Sequence, residues 1–182
     1  MKIRPHRRHP GGSIAASRRA NNQVYKTPSM KITEILAPEM VLPDLERDTK
    51  DQVLKELAQG FHSRYPTIEL DELAAVLSER ERLGSTAIGD GIAIPHGKLR
   101  GVSKIIGAFS RHRAGVDFDS LDGSPTHIFF VLVAPEDSAS LHLKALARVS
   151  RLLKDEGFRS RLMSAADPAE IYRLIKEEDS KY

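Results

Sequence analysis

The densest run of residues able to do chemistry lies between Gly84 and Lys98, which reads Gly-Ser-Thr-Ala-Ile-Gly-Asp-Gly-Ile-Ala-Ile-Pro-His-Gly-Lys. Its glycines and terminal Gly-Lys invite a phosphate-binding reading, but two familiar loops fail on spacing. A P-loop sets four residues between its first glycine and Gly-Lys, then Ser or Thr; here five residues separate Gly91 from Gly97, and Leu99 follows Lys98. A dinucleotide fingerprint could start at Gly89-Asp90-Gly91, yet its last glycine position holds Ile94. What remains is His96, held by Pro95 before it and given room by Gly97 after it. A neutral imidazole displayed in this way keeps a nitrogen lone pair near neutral pH and can act as a nucleophile. Taken alone, a single histidine reads more readily as a structural residue than as a nucleophile.

Other chemistries are excluded by composition. The 182 residues contain no cysteine, which removes disulfides, thiolate nucleophiles and Cys-ligated metal sites, and fits a reducing cytoplasm. No His-Glu-x-x-His pair occurs, and Gly11-Gly12-Ser13-Ile14-Ala15 ends in Ala where a nucleophile elbow needs Gly. With no tryptophan, four tyrosines and six phenylalanines, base stacking has little material to work with. The longest apolar run, Ile128 to Ala134, has seven residues, far short of the roughly 20 of a membrane span.

The elements that must position His96 follow from periodicity. Thr49-x-x-Gln52 reads as a capping box opening a helix with Val53, Leu54, Leu57, Ala58 and Phe61 on one face. A second helix is expected from about Asp71 to Leu83, burying Leu73, Ala74 and Leu77. Short strands are expected at Ile92–Ile94, Ile105–Ser110 and His127–Val133, the last apolar enough to be covered on both faces. A long helix should begin at Ser138 or Ser140, carry Leu143, Leu146, Val149 and Leu153, and stop at a C′ glycine, Gly157. Asp167-Pro168-x-Glu170 supplies N-cap, N1 proline and N3 acid for a final helix. Helices before and after a group of strands predict an α/β fold, a three-layer α/β/α sandwich with a central mixed sheet.

The run from Gly84 to Lys98 does not stand alone. With Ser78-Glu79-Arg80-Glu81-Arg82-Leu83 upstream, and Val116-Asp117-Phe118-Asp119, Val131-Leu132-Val133-Ala134-Pro135 and Leu141-His142-Leu143-Lys144-Ala145-Leu146 downstream, it resembles the active-site signature of phosphotransferase-system enzyme IIA components of the fructose/mannitol/nitrogen-regulatory type. The likeness spans about Met30 to Ile175. Its Leu-Gly-Ser-Thr lead-in and Pro-His-Gly-Lys ending resemble the nitrogen-regulatory branch most, although Asp90 stands where that branch commonly shows Asn. The resemblance implies that His96 accepts a phosphoryl group from the phosphohistidine of HPr or its nitrogen-branch paralogue, with no cofactor or metal. It also implies that Arg80 stabilises the phosphate and that His142 hydrogen-bonds it. Arg82 is a neighbouring candidate for the arginine's role. Ser85, Thr86 and Gly97 would support the phosphate loop; for Ser85 and Thr86, phosphate contact and capping of the strand entry stay equally open. His62, His112 and His127 fall outside the signature and are read as structural or surface residues.

Charge is unevenly spread. Residues 1–29 hold seven of the 28 Lys and Arg and none of the 25 acids, so the basic balance belongs to this segment and the rest is mildly acidic. Without periodicity, and broken by Pro5, Pro10, Gly11, Gly12 and Pro28, the segment is expected to be a disordered basic extension, too poor in apolar residues for a secretory signal. Its charge would attract nucleic-acid phosphate, but the simpler reading is a native start at Met30, with residues 30–182 as the enzyme IIA domain. Three functions follow from this reading. The first is a cytoplasmic regulatory phosphocarrier whose state is read by target proteins such as a transporter or sensor kinase. The second is a sugar-specific enzyme IIA feeding an enzyme IIB, and the third a non-catalytic binding module of the same fold.

Overall fold

The computed structural model describes residues 30–181. A 3₁₀ turn at Ile32–Glu34 leads into β1 (Leu36–Val41), followed by α1 (Lys50–Arg64), α2 (Leu70–Arg82), β2 (Ala87–Gly89), β3 (Ile92–Ala93) and β4 (His96–Lys98). The long strands β5 (Ile106–Val116) and β6 (Thr126–Ala134) come next, then α3 (Ala139–Leu152), α4 (Glu156–Ser164) and α5 (Pro168–Asp179). The strands form one mixed sheet in the order β1-β5-β6-β3-β2, with β4 also pairing with β6. The expected α/β/α sandwich with a central mixed sheet is the fold observed. Residues 1–29, expected to be a basic extension, lie outside the described residues.

Strand β6 is the axis of the molecule. From Ile128 to Ala134 no residue is more than 2% exposed, and each apolar side chain hidden this completely contributes roughly 1.5–3 kcal/mol. It runs antiparallel to β5 and parallel to both β3 and β4, so these short strands hang on a deeply buried strand. The last helix opens as the sequence indicates, with Asp167 accepting from the Glu170 amide and Pro168 in its first turn. Among the described residues no helix is long and apolar enough to cross a membrane.

Several expectations are corrected. Gly157 does not end the long helix: α3 stops at Leu152, and Asp155 caps a separate helix, α4, accepting from the Phe158 amide at 2.6 Å. Leu143 points outward, and the buried positions of α3 are His142, Ala145, Val149 and Leu152. Thr49 occupies the N-cap of α1 without a side-chain hydrogen bond, so no capping box forms; Ala74 is only partly buried. Strand β1 is not among the expected strands; it carries Pro38, which its place at the sheet edge tolerates. β2 and β4 have three residues each, too few for a period to show.

Candidate functional site

His96 opens β4, opposite Leu132 of β6. The strand is pinned by two backbone bonds, Leu132 N–H to Pro95 O at 3.0 Å and Leu99 N–H to Ala134 O at 2.9 Å. The half-buried imidazole is held at both nitrogens. Nδ1 lies 2.7 Å from Ile94 O, and Arg80 Nε donates to Nε2 at 3.0 Å. A carbonyl can only accept and a guanidinium can only donate, so the two contacts independently specify one tautomer: proton on Nδ1, lone pair on Nε2. Burial pushes the His96 pKa below the ordinary histidine value. The Ile94 hydrogen bond opposes this, the Arg80 charge adds to it, and Glu81 counters in part.

Arg80 reaches His96 from the last turn of α2, and its guanidinium is steadied by donating to Gly84 O at 2.9 Å. Arg82, the sequence's alternative, is exposed and lines a separate cleft with Lys50, Asp51 and Ser78. His142 comes from the first turns of α3, its ring edge-on to His96 with centroids 5.2 Å apart and planes at 85°. Its Nε2 is buried without a hydrogen-bond partner, and its own amide is spent on Ser138 O. Burial, then the neighbouring His96, Lys98 and Arg80, lowers its pKa, so the ring resists taking a proton. An unsatisfied buried nitrogen costs about 1–3 kcal/mol unless something arrives to meet it.

Ser85 and Thr86 line the same cleft of about 340 Å³ as Arg80, His96 and Leu146, but their hydroxyls turn away into the protein. Ser85 Oγ donates to Phe118 O at 2.7 Å, and Thr86 Oγ1 donates to the buried Glu81 carboxylate. Gly97 also serves packing between α2 and β4. A Cβ there would run into Val76 of α2, so its absence lets α2 approach β4 and brings Arg80 within reach. Asp90 takes a left-handed turn conformation with φ 55° between β2 and β3, which a short polar residue tolerates. Its amide donates to Asp122 at 2.9 Å. Among the described residues no cluster of three His, Asp or Glu side chains is arranged to hold a metal ion.

Glu81 is the residue that the charge-rich stretch of α2 concealed. It reads as part of a solvated face, yet its side chain is buried and receives Thr86 N–H, Thr86 Oγ1–H and Lys50 Nζ, the last at 2.6 Å. The signal was present in the spacing: Leu73, Leu77 and Glu81 recur every four residues on the core side of the helix.

A family model described as the phosphoenolpyruvate-dependent sugar phosphotransferase system EIIA 2 matches residues 34–178. A nitrogen regulatory protein of Bradyrhizobium diazoefficiens is 44% identical over 146 residues, covering 80% of this chain and 95% of that protein. The fructose-specific EIIABC component of Bacillus subtilis is 36% identical over 150 residues; the match takes in 82% of this chain but 24% of that longer protein. Among solved structures, the nitrogen regulatory protein IIA-Ntr from Neisseria meningitidis superposes with a TM-score of 0.73 at 33% identity, covering 79% of this chain and 98% of its own.

Proposed function

The chain belongs to the EIIA 2 family of the phosphoenolpyruvate-dependent sugar phosphotransferase system, and from that membership we propose that it is a regulatory phosphocarrier of the nitrogen branch, phosphorylated on His96 by an HPr-type phosphohistidine protein. Residues 30–182 form the phosphocarrier domain in this reading, residues 1–29 are an extension to it, and the protein acts in the cytoplasm.

The observation that carries the reading is the single-tautomer imidazole, with its Nε2 lone pair at the cleft and Arg80 beside it. In the transfer, Nε2 attacks the phosphorus in line with the donor's N–P bond. That bond breaks as the new one forms, and its electron pair returns to the donor imidazole. The proton stays on Nδ1 and is donated to the Ile94 carbonyl, whose dipole stabilises the positive charge the ring develops. Arg80 must release Nε2 as phosphorus arrives, and its N–H fork then serves the phosphoryl oxygens, as planar guanidinium groups do. The unpartnered Nε2 of His142 is the third group available to an oxygen. Little else is required, since phosphoryl transfer rests on positioning and charge neutralisation.

The regulatory branch is favoured by likeness to nitrogen regulatory proteins over most of their length. The partners expected are an HPr-type donor and a target protein, such as a transporter or sensor kinase, that reads the phosphorylation state. The fructose-specific relative supports a second reading, in which the phosphoryl group passes to an enzyme IIB. Incubation with phosphoenolpyruvate, the general phosphotransferase enzyme and an HPr-type donor should add one phosphate to the intact mass. Transfer onward to a fructose-type IIB would favour the sugar branch; no mass gain would end both readings.

A further inference from the structure

Two hydrogen-bonded paths leave Glu81 and converge on the two nitrogens of His96. In the first, both carboxylate oxygens lie 3.0 Å from Thr86 N, and Thr86 Oγ1 also donates to the carboxylate. Thr86 O then accepts the Ile94 amide at 3.0 Å, and Ile94 O accepts the His96 Nδ1 proton at 2.7 Å. In the second path, Glu81 O accepts the Gly84 amide at 3.2 Å, Gly84 O accepts from Arg80, and Arg80 Nε donates to His96 Nε2. The segment from Gly84 to Thr86 is therefore tied at each end to one residue. Whatever moves that segment moves both groups that orient the imidazole.

We infer that Glu81 is a positioning residue for the reaction at His96: its buried carboxylate holds Thr86, and through Thr86 and Ile94 it sets the tautomer and aim of the nucleophilic imidazole. Glu81 touches no reacting atom. The inference rests on the reading of His96 as phosphoryl acceptor. A carboxylate is the side chain the place demands, because three donors meet it at once: an amide, a hydroxyl and the Lys50 ammonium. Lys50 reaches it from α1 at 2.6 Å and is shared with Asp119 at 3.0 Å, so the charge introduced under the loop is balanced there. Burial pulls the Lys50 pKa down, but its bonds to Glu81 and Asp119 outweigh that and hold it above the ordinary lysine value. Glutamine keeps the shape but sets an NH₂ group against Lys50 or Thr86 and removes the charge, which weakens the hold on Thr86 without emptying the space.

The test uses the full chain with ¹⁵N-labelled histidine. In the wild type, imidazole nitrogen shifts should report His96 as the Nδ1–H tautomer. Glu81→Gln should give a mixture of tautomers, and phosphoryl uptake should slow about ten- to hundredfold, the size of effect that a misplacement near 1 Å produces. The loss should lie in the maximal rate rather than in the KM for the donor, and Glu81→Asp should restore part of it. Unchanged tautomer and uptake rate per folded molecule, with only a lower melting temperature, would overturn the inference and leave Glu81 a structural residue. If Glu81→Gln fails to fold, Thr86→Val removes the hydroxyl donor alone, and an unchanged tautomer and rate there would overturn it equally. A tautomer shift in a chain whose wild type takes no phosphate would uphold the positional link while ending the phosphocarrier reading.

Discussion

Replacing Arg80 with lysine keeps the positive charge and removes the fork. In the folded chain the guanidinium spans two acceptors, His96 Nε2 at 3.0 Å and Gly84 O at 2.9 Å. An ammonium is a point charge and cannot hold both while presenting N–H groups to a phosphoryl oxygen. A hydrogen bond to a charged group is worth roughly 1.5–3 kcal/mol, and each 1.36 kcal/mol on a barrier is tenfold in rate, so uptake should slow about ten- to hundredfold. Stability should hardly change, because the side chain is partly exposed and water can replace its hydrogen bonds to two neutral acceptors. The assay is single-turnover transfer from a pre-phosphorylated HPr-type donor, quenched on the millisecond scale, with thermal melts of both proteins alongside. Arg82→Lys is the control: Arg82 lines a different cleft and should transfer at the wild-type rate. An Arg80→Lys rate equal to wild type, or an equal loss in Arg82→Lys, would show that the Arg80 fork does not serve the transfer.

His142→Ala should slow phosphoryl transfer while costing less stability than most buried substitutions, since the lost Nε2 has no hydrogen bond to break; an intact rate with a large fall in melting temperature would assign the residue to packing. The lowered pKa values of His96 and His142 set a sign for pH dependence. Uptake should be level from the ordinary histidine value of 6.5 upward and fall only below it, and a rate already halved at 6.5 would contradict the burial of His96. The same two groups bind protons more readily unfolded than folded, so their contribution to stability should be intact above 6.5 and decline as pH falls toward their depressed folded values. A chain beginning at Met30 should take phosphate at the full rate and melt within about 3 °C of the whole protein, whereas a fall of roughly ten degrees would move the domain boundary.

The frame of this site was legible because it is built from strong local signals. The apolar run at Ile128–Ala134 marks the central strand, Asp167-Pro168-x-Glu170 marks a helix start, and the run around His96 marks the cleft. What escaped is tertiary. Pro38 lies in a strand because that strand is at an edge, and Gly157 sits inside a helix because Asp155 restarts the chain two residues earlier. Gly97 is small on account of Val76, which is 21 positions away in sequence. Glu81 is the most instructive miss. Its neighbours Glu79, Arg80 and Arg82 suggest a solvated helix end, and only the four-residue spacing from Leu73 and Leu77 points it inward. Local charge masked periodicity, and the acceptor needs of Thr86 and Lys50 arise from other parts of the fold.

Phosphocarrier function, as proposed, requires His96 to carry the phosphoryl group on Nε2. The most direct measurement is phosphorus and nitrogen NMR of the protein after incubation with phosphoenolpyruvate, the general phosphotransferase enzyme and an HPr-type donor, with His96→Ala treated in parallel. One phosphoramidate signal coupled to the Nε2 nitrogen of His96, labile to acid and stable to alkali, is expected, with no signal from the folded His96→Ala protein. A signal that persists in His96→Ala, or coupling to Nδ1 instead, would contradict this expectation.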